Sequence, residues 1–221
     1  MFAGKLIKDT IPPLKPTDTC GRALMWMDEF HLNSLPVISG KSFIGLIKQS
    51  DLVENNAPEA LLQSQETPLS RIFVYSNQHV YDVVKFAALH KCDVIPVLND
   101  NQEYEGLITI ADLVEYFAES KSVYMPGGII ILELRFSDFS MSQIAQIIES
   151  DGAHILSSSV GATLDPQLIE LTIKIDKVDI ARILSAFYRY NYHVTASYFQ
   201  SEFGDDLKNR YESLMNYLSI G

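Results

Sequence analysis

Apolar residues recur along this chain in two rhythms, and the succession of rhythms is itself repeated. Ala23, Leu24, Met27 and Phe30 stand three or four positions apart, the spacing of one face of a helix. A short apolar run follows, Leu35-Pro36-Val37-Ile38, then the turn residues Ser39-Gly40, then a second run from Phe43 to Ile47, which together predict a hairpin. The same order then returns. Val83, Val84 and Ala87 hold the helical spacing, and Ile95-Pro96-Val97-Leu98 lies sixty positions after its counterpart. Asn99-Asp100-Asn101 supplies the turn and Gly106 to Ile108 the returning strand. Asp18 or Thr19 is placed to cap the first helix, and Ser76 or Asn77 the second. Extended pieces precede both helices, at Thr10 to Leu14 and at Arg71 to Tyr75. Pro12 and Pro13 make the first an edge piece, because proline has no N–H to give to a ladder.

The copies agree best where each hairpin feeds the next helix. GLIKQSDLVE at 45–54 and GLITIADLVE at 106–115 are identical at seven of ten positions. Each repeat therefore reads strand, helix, strand, strand, helix, with Asn55 to Thr67 as the join. In the second copy, Thr109 and Asp112 have the spacing of a capping box, in which hydroxyl and carboxylate each take a backbone N–H of the first helical turn. In the first copy Lys48 holds the cap position and cannot accept an N–H, yet Asp51 is present. A carboxylate near a helix N-terminus gains from the helix dipole in either copy. Spacing alone leaves two uses open for these aspartates, a cap and an acceptor for a ligand.

After Met125-Pro126-Gly127-Gly128 the pattern restarts. Ile129 to Phe136 reads as an apolar strand, and Met141, Ile144, Ile147 and Ile148 as a helical face following Ser140, a candidate cap. His154 to Gly161 and Leu168 to Ile175 are extended, with Leu164-Asp165-Pro166-Gln167 turning between them. Ile180, Ile183, Leu184 and Phe187 give a second helix and His193 to Phe199 a last strand. The order strand, helix, strand, strand, helix, strand is the ferredoxin-like plan with an antiparallel sheet. Beyond Gly204, Leu207, Tyr211, Leu214, Met215 and Leu218 fall on one helical stripe. The expected class is α+β. Residues 1–122 form a repeated unit (copies at about 1–60 and 61–122), 123–200 a ferredoxin-like domain and 201–221 a C-terminal helix.

Composition narrows the function. With 221 residues and 47% hydrophobic content the chain can bury a core, while a formal charge of −11 argues against nucleic acid or an anionic membrane as partner. There is no signal-peptide pattern at MFAGKLIKDT and no run of about 18 apolar residues for a membrane span. Cys20 and Cys92 fall in apolar helical patterns and read as buried reduced thiols, which suits a cytoplasmic protein. The five histidines share no metal spacing, and there is neither a phosphate-cradling Gly-rich loop nor a nucleophile elbow, so nothing reads as catalytic.

On these residues, the Leu-Pro-Val and Ile-Pro-Val strands and the two Gly-Leu-Ile-x-x-x-Asp turns above all, the first 122 residues resemble a tandem cystathionine-beta-synthase (CBS) pair, the arrangement called a Bateman module. The resemblance implies an adenosine-containing regulatory ligand (AMP, ADP, ATP or S-adenosylmethionine) and no other cofactor. It implies that Asp112 takes the two ribose hydroxyls with help from Thr109. The adenine would lie against Ile72, Val74 and the Ile95-Pro96 corner, with Arg71 or His79 towards the phosphates. A first site offers Ile11, Pro36 and Asp51, with Lys48 where the family usually has Thr or Ser, so its occupancy stays open.

The following domain is similar to an ACT domain. Amino-acid-binding members carry Asp-x-x-Gly at the first strand-to-helix corner. Here that corner reads Asp138-Phe139-Ser140-Met141, and a side chain in place of the glycine favours dimerisation over amino-acid binding. The whole layout resembles the acetoin-utilisation accessory (AcuB-type) family. That implies a non-catalytic cytoplasmic homodimer passing a ligand-dependent change to an unknown regulated protein. The alternative is an amino-acid-binding or purely dimerising ACT-type module with degenerate CBS sites.

Overall fold

The computed structural model describes residues 1–64 and 69–199. The expected C-terminal helix at 201–221 lies outside the described residues, as does part of the join. The chain divides into two compact units, Met1–Ala118 and a second beginning at Glu119.

In the first unit the repeat is real down to its irregularities. Copy one comprises α1 (Cys20–Glu29), the hairpin β1 (Ser34–Ser39) and β2 (Ser42–Lys48), and α2 (Gln49–Asn55). Copy two comprises β3 (Val74–Tyr75), α3 (Val80–His90), the hairpin β4 (Val94–Leu98) and β5 (Tyr104–Thr109), and α4 (Ile110–Ala118). His31 and Lys91 leave the first helix of each copy in the left-handed conformation, at φ 55° and 49°. Each hairpin carries a bulge at the same place, between Val37 and Ile38 and between Val97 and Leu98. The leading strands are short: Leu14 makes a single parallel bridge to Val37, while Val74 and Tyr75 pair in parallel with Val97 and Leu98. The two prolines explain the weaker first piece.

Three details differ from the sequence expectation. Thr19 does cap α1, its hydroxyl accepting from the Arg22 amide at 3.2 Å, but α3 is capped by the His79 ring and not by Ser76 or Asn77. The face of α3 that is buried is Val80, Val83 and Ala87, so Val84 points outward. Cys20 is buried in α1, whereas Cys92 sits half-buried in the turn after α3.

Each copy is completed by the segment that precedes the other. The Met1–Asp9 stretch packs on copy two: Ala3 and Leu6 join the core of Val80, Val83, Ile95 and Ile108, and the amides of Ala3 and Gly4 donate to the carbonyls of Gln78 and Ser76 at 2.8 and 2.9 Å. Ile7 lies over Gly106, where a Cβ would overlap it. Leu69 lies in the same way over Gly45, and Ser70 exchanges both backbone hydrogen bonds with Leu46 at 2.8 and 3.0 Å. Glycine is required at both places because another chain segment occupies the space a side chain would take. A second, larger core joins copy one to Val94, Leu98 and Leu107 of copy two.

The second unit starts with a short helix, α5 (Lys121–Tyr124), and continues β6 (Ile129–Arg135), α6 (Met141–Glu149), β7 (Ile155–Ala162), β8 (Leu168–Ile175), α7 (Ala181–Arg189) and β9 (His193–Tyr198). Its sheet runs β7-β8-β6-β9, antiparallel throughout. That is the ferredoxin-like order, the two helices covering one face over Ile130, Leu132, Leu171 and Ile173. Ser140 occupies the N-cap of α6 but gives it no side-chain hydrogen bond, its hydroxyl pairing instead with that of Ser142 at 3.0 Å. Among the described residues no helix is long and apolar enough to cross a membrane.

Candidate functional site

The strand β5 ends at Thr109, and α4 begins at the next residue. Asp112 in the first turn of α4 therefore has the Thr109 hydroxyl and amide directly behind it, and a capping box closes. The Thr109 amide and hydroxyl donate to Asp112 Oδ2 at 2.8 and 2.7 Å, and the Asp112 amide donates back to Thr109 Oγ1 at 3.1 Å. The other carboxylate oxygen is also engaged. Lys8 Nζ lies 3.2 Å from Asp112 Oδ1 and pairs with Glu115 one turn along α4. Burial pushes the Asp112 carboxyl up, but the Thr109 hydroxyl and amide and the Lys8 ammonium outweigh it, so the net shift is downward. Lys8 moves in the complementary sense, raised by its hydrogen bonds to Glu115 and Asp112. The result is a well-oriented carboxylate, 12% exposed at its side chain and ionised at neutral pH.

Lys8 and Glu115 were not legible as site residues. Lys8 stands 107 positions before Glu115 and carries no spacing that would connect them. Glu115 closes the repeated ten-residue stretch, but its counterpart Glu54 reads equally well as a solvated helix residue.

The apolar residues expected around a base divide into two groups. Ile72 is half-buried against the core of copy one. Val74, Ile95 and Pro96 are closed inside the protein, Val74 and Ile95 within the core that the Met1–Asp9 segment completes. Arg71 is exposed. His79 is committed to α3: its Nδ1 accepts from the Tyr81 amide at 3.3 Å and its ring meets Tyr81 edge-on at 4.9 Å.

In copy one the same corner is built without the box. Lys48 holds the N-cap position, exposed, with no side-chain cap bond. Asp51 is half-buried and accepts from the Ser50 hydroxyl at 3.2 Å. Ile11 is half-buried and Pro36 buried. An open cavity of about 480 Å³ lies beside this corner, lined by Asn33, Lys48, Gln49, Ser50, Val53 and Glu54. The copies are tied where the Asp93 carboxylate of copy two accepts from the Asn33 amide and, at 2.9 Å, from the Ser34 hydroxyl of copy one.

The second unit contains a cavity of about 610 Å³ at the end of its sheet, with Glu133, Arg135, Asp138, Arg189, Tyr190 and His193 among its walls. Asp138 ends a 3₁₀ turn and accepts from the Ser137 hydroxyl at 3.0 Å. His193 Nδ1 lies 3.3 Å from Glu133 Oε1. Among the described residues no three His, Cys, Asp or Glu side chains gather as a metal site.

Parts of this chain are similar to known proteins. The family model for the CBS domain matches residues 67–119, which is copy two. Solved structures of similar fold include a CBS domain pair/ACT domain protein from Thermotoga maritima, at 18% identity and a TM-score of 0.48 over 54% of this chain and 98% of that one. A second is CBSX2 in complex with AMP, at 19% identity and a TM-score of 0.47 over 54% and 98% of the two chains. A third is a protein from Vibrio cholerae assigned to acetoin utilization (AcuB), at 19% identity and a TM-score of 0.46 over 53% and 90%. The family match falls on the copy that holds Thr109 and Asp112, and copy one repeats its strands, bulge and aspartate. Residues 67–119 thus match the CBS domain, and copy one repeats that strand, hairpin and helix order ahead of a ferredoxin-like domain.

Proposed function

We propose that the chain is a non-catalytic regulatory protein that binds an adenosine-containing ligand in its CBS pair and passes the change to a partner protein. The observation that carries the reading is the Asp112 carboxylate, ionised, nearly buried and held in one orientation by Thr109. A fixed carboxylate is the acceptor a vicinal diol needs, because both ribose hydroxyls can donate to it without reorganising it. AMP, ADP, ATP and S-adenosylmethionine all carry that diol, and AMP is the ligand named for one protein of similar fold. Ile72 and Arg71 are the candidate contacts for the base and the charged end, and Val74, Ile95 and Pro96, being buried, would act only as support. Asp51 with Lys48, Ile11 and Pro36 forms a second, weaker candidate.

The mechanism is differential binding: a ligand held at one copy favours one arrangement of the two copies, and that preference is what a partner reads. On this reading the protein acts in the cytoplasm as a homodimer, two-fold pairing being the commonest state of soluble homo-oligomers. Calorimetric titration with AMP, ATP and S-adenosylmethionine tests the reading. Micromolar binding of one of them is expected in the wild type and in Asp51→Ala, and loss of it in Asp112→Ala.

The cavity in the second unit supports a second reading, an amino-acid ligand, since Arg135 and Arg189 suit a carboxylate while Glu133 and Asp138 suit an ammonium group. Asp138→Ala would then remove a response that Asp112→Ala leaves intact.

A further inference from the structure

A carboxylate offers about four lone-pair positions, and three of those of Asp112 are in use. Thr109 fills two on Oδ2 through its amide and hydroxyl, and Lys8 fills one on Oδ1. A vicinal diol brings two donors, so it needs Oδ1 cleared. The Thr109 donors cannot leave without undoing the start of α4. Lys8 can leave: its side chain is 46% exposed, its stem is flexible, and Glu115 remains beside it as an alternative partner for the ammonium.

We propose that Lys8 is an internal competitor for the diol acceptor, which a ligand must displace from Asp112 before its ribose can bind. The inference rests on the reading above that Asp112 receives a ribose. It gives that site a built-in affinity setting that copy one lacks, because the residue reaching copy one from the other preceding segment is the neutral Ser70, paired through its backbone. It also names the element that reports occupancy. Lys8 belongs to the segment seated on copy two by the Ala3 and Gly4 hydrogen bonds and by Ile7 over Gly106. Displacing the lysine removes the ionic tie of that segment, so ligand binding and the hold on residues 1–9 are linked.

A lysine that instead met a ligand phosphate would act with the opposite sign, and adenosine, which has the diol and no charge, separates the two. The test is calorimetric titration of wild type, Lys8→Met and Asp112→Ala with adenosine and with AMP, at low and high sodium chloride. Lys8→Met is expected to bind adenosine about threefold more tightly than wild type, the scale of one exposed ion pair. Wild-type affinity for adenosine is expected to rise with salt, which screens the pair, while Lys8→Met stays flat. If Asp112→Ala abolishes binding but Lys8→Met binds adenosine no better than wild type, the competitor role is overturned and the ribose site stands. Weaker AMP binding in Lys8→Met with adenosine unchanged would make Lys8 a phosphate contact and also overturn it. If no variant binds either compound, or Asp112→Ala binds as well as wild type, the site reading itself fails and takes this inference with it.

Discussion

Copy one and copy two of the repeat place an aspartate in the first turn of the corresponding helix, and they do different things with it. In copy two, Asp112 closes a capping box with Thr109 and pairs with Lys8. In copy one, Lys48 leaves the start of α2 without a side-chain cap, and Asp51 meets the hydroxyl of its neighbour Ser50. The backbone around them is otherwise matched, from the left-handed residues His31 and Lys91 to the bulges. The comparison teaches that an aspartate in this first helical turn does not by itself make a capping box, since copy one has the aspartate without the cap. It teaches equally that a cap and a ligand acceptor are compatible uses of one carboxylate, because capping in copy two is done through a single oxygen.

The largest way to break the symmetry is at the glycines. Gly45→Val and Gly106→Val each drive a side chain into the segment that completes that copy. Each is expected to cost about 1–3 kcal/mol, as overpacking does, read as a lowered thermal midpoint. Both should be felt, because at Gly45 the Cβ would lie 2.7 Å from Leu69 Cβ with the Leu69 and Ser70 backbone at 3.2 Å, and at Gly106 it would overlap Ile7 Cγ2 at a φ of 156° that side chains rarely adopt. An unchanged midpoint for Gly106→Val would mean that Ile7 is not seated there.

A smaller effect separates the caps. Thr109→Val removes the box and is expected to lower stability by about 1 kcal/mol. Lys48→Thr builds the missing box with Asp51 and is expected to raise stability by about half as much, both measured by urea unfolding. If Lys48→Thr gives nothing, the start of α2 is already satisfied by other means.

The smallest effect is in acid. The folded Asp112 carboxyl lies below its ordinary value of 3.8, so the stability it contributes is complete above that value and is lost as pH falls through the lower folded one. Asp112→Asn is therefore expected to flatten the dependence of unfolding free energy on pH below about pH 4. Asp176 is lowered too, by the His154 amide and ring, and lies in the other unit, so its share of the acid slope should survive the substitution. An unchanged slope in Asp112→Asn would place the acid sensitivity elsewhere.

How much was legible follows from how far apart the partners stand. Thr109 and Asp112 are three residues apart at a strand-to-helix junction, so the box was readable from spacing. The hairpins were readable too, because their alternation and turn residues are local. The face of α3 was not, since Val83 and Val84 are adjacent and only the packing of Ala3 and Leu6 selects Val80, Val83 and Ala87. The His79 cap was missed because preference alone points to Ser76 and Asn77; the helix starts later, after a bridge from His79 to Phe2. Val74 and Ile95 looked available to a base as long as the Met1–Asp9 segment was not known to cover them.

The sequence by itself determined the doubled strand-helix-hairpin-helix plan, the ferredoxin-like order that follows it, and an aspartate at each helix start, because these depend on hydrogen bonds and periodicities spanning a few residues. Only the tertiary structure decided that each copy is completed by the other's leading segment, and that Lys8 meets Asp112 across 104 positions of chain. Those contacts come from closing long loops around shared cores, and loop closure depends on how whole elements pack, which leaves no local spacing to read.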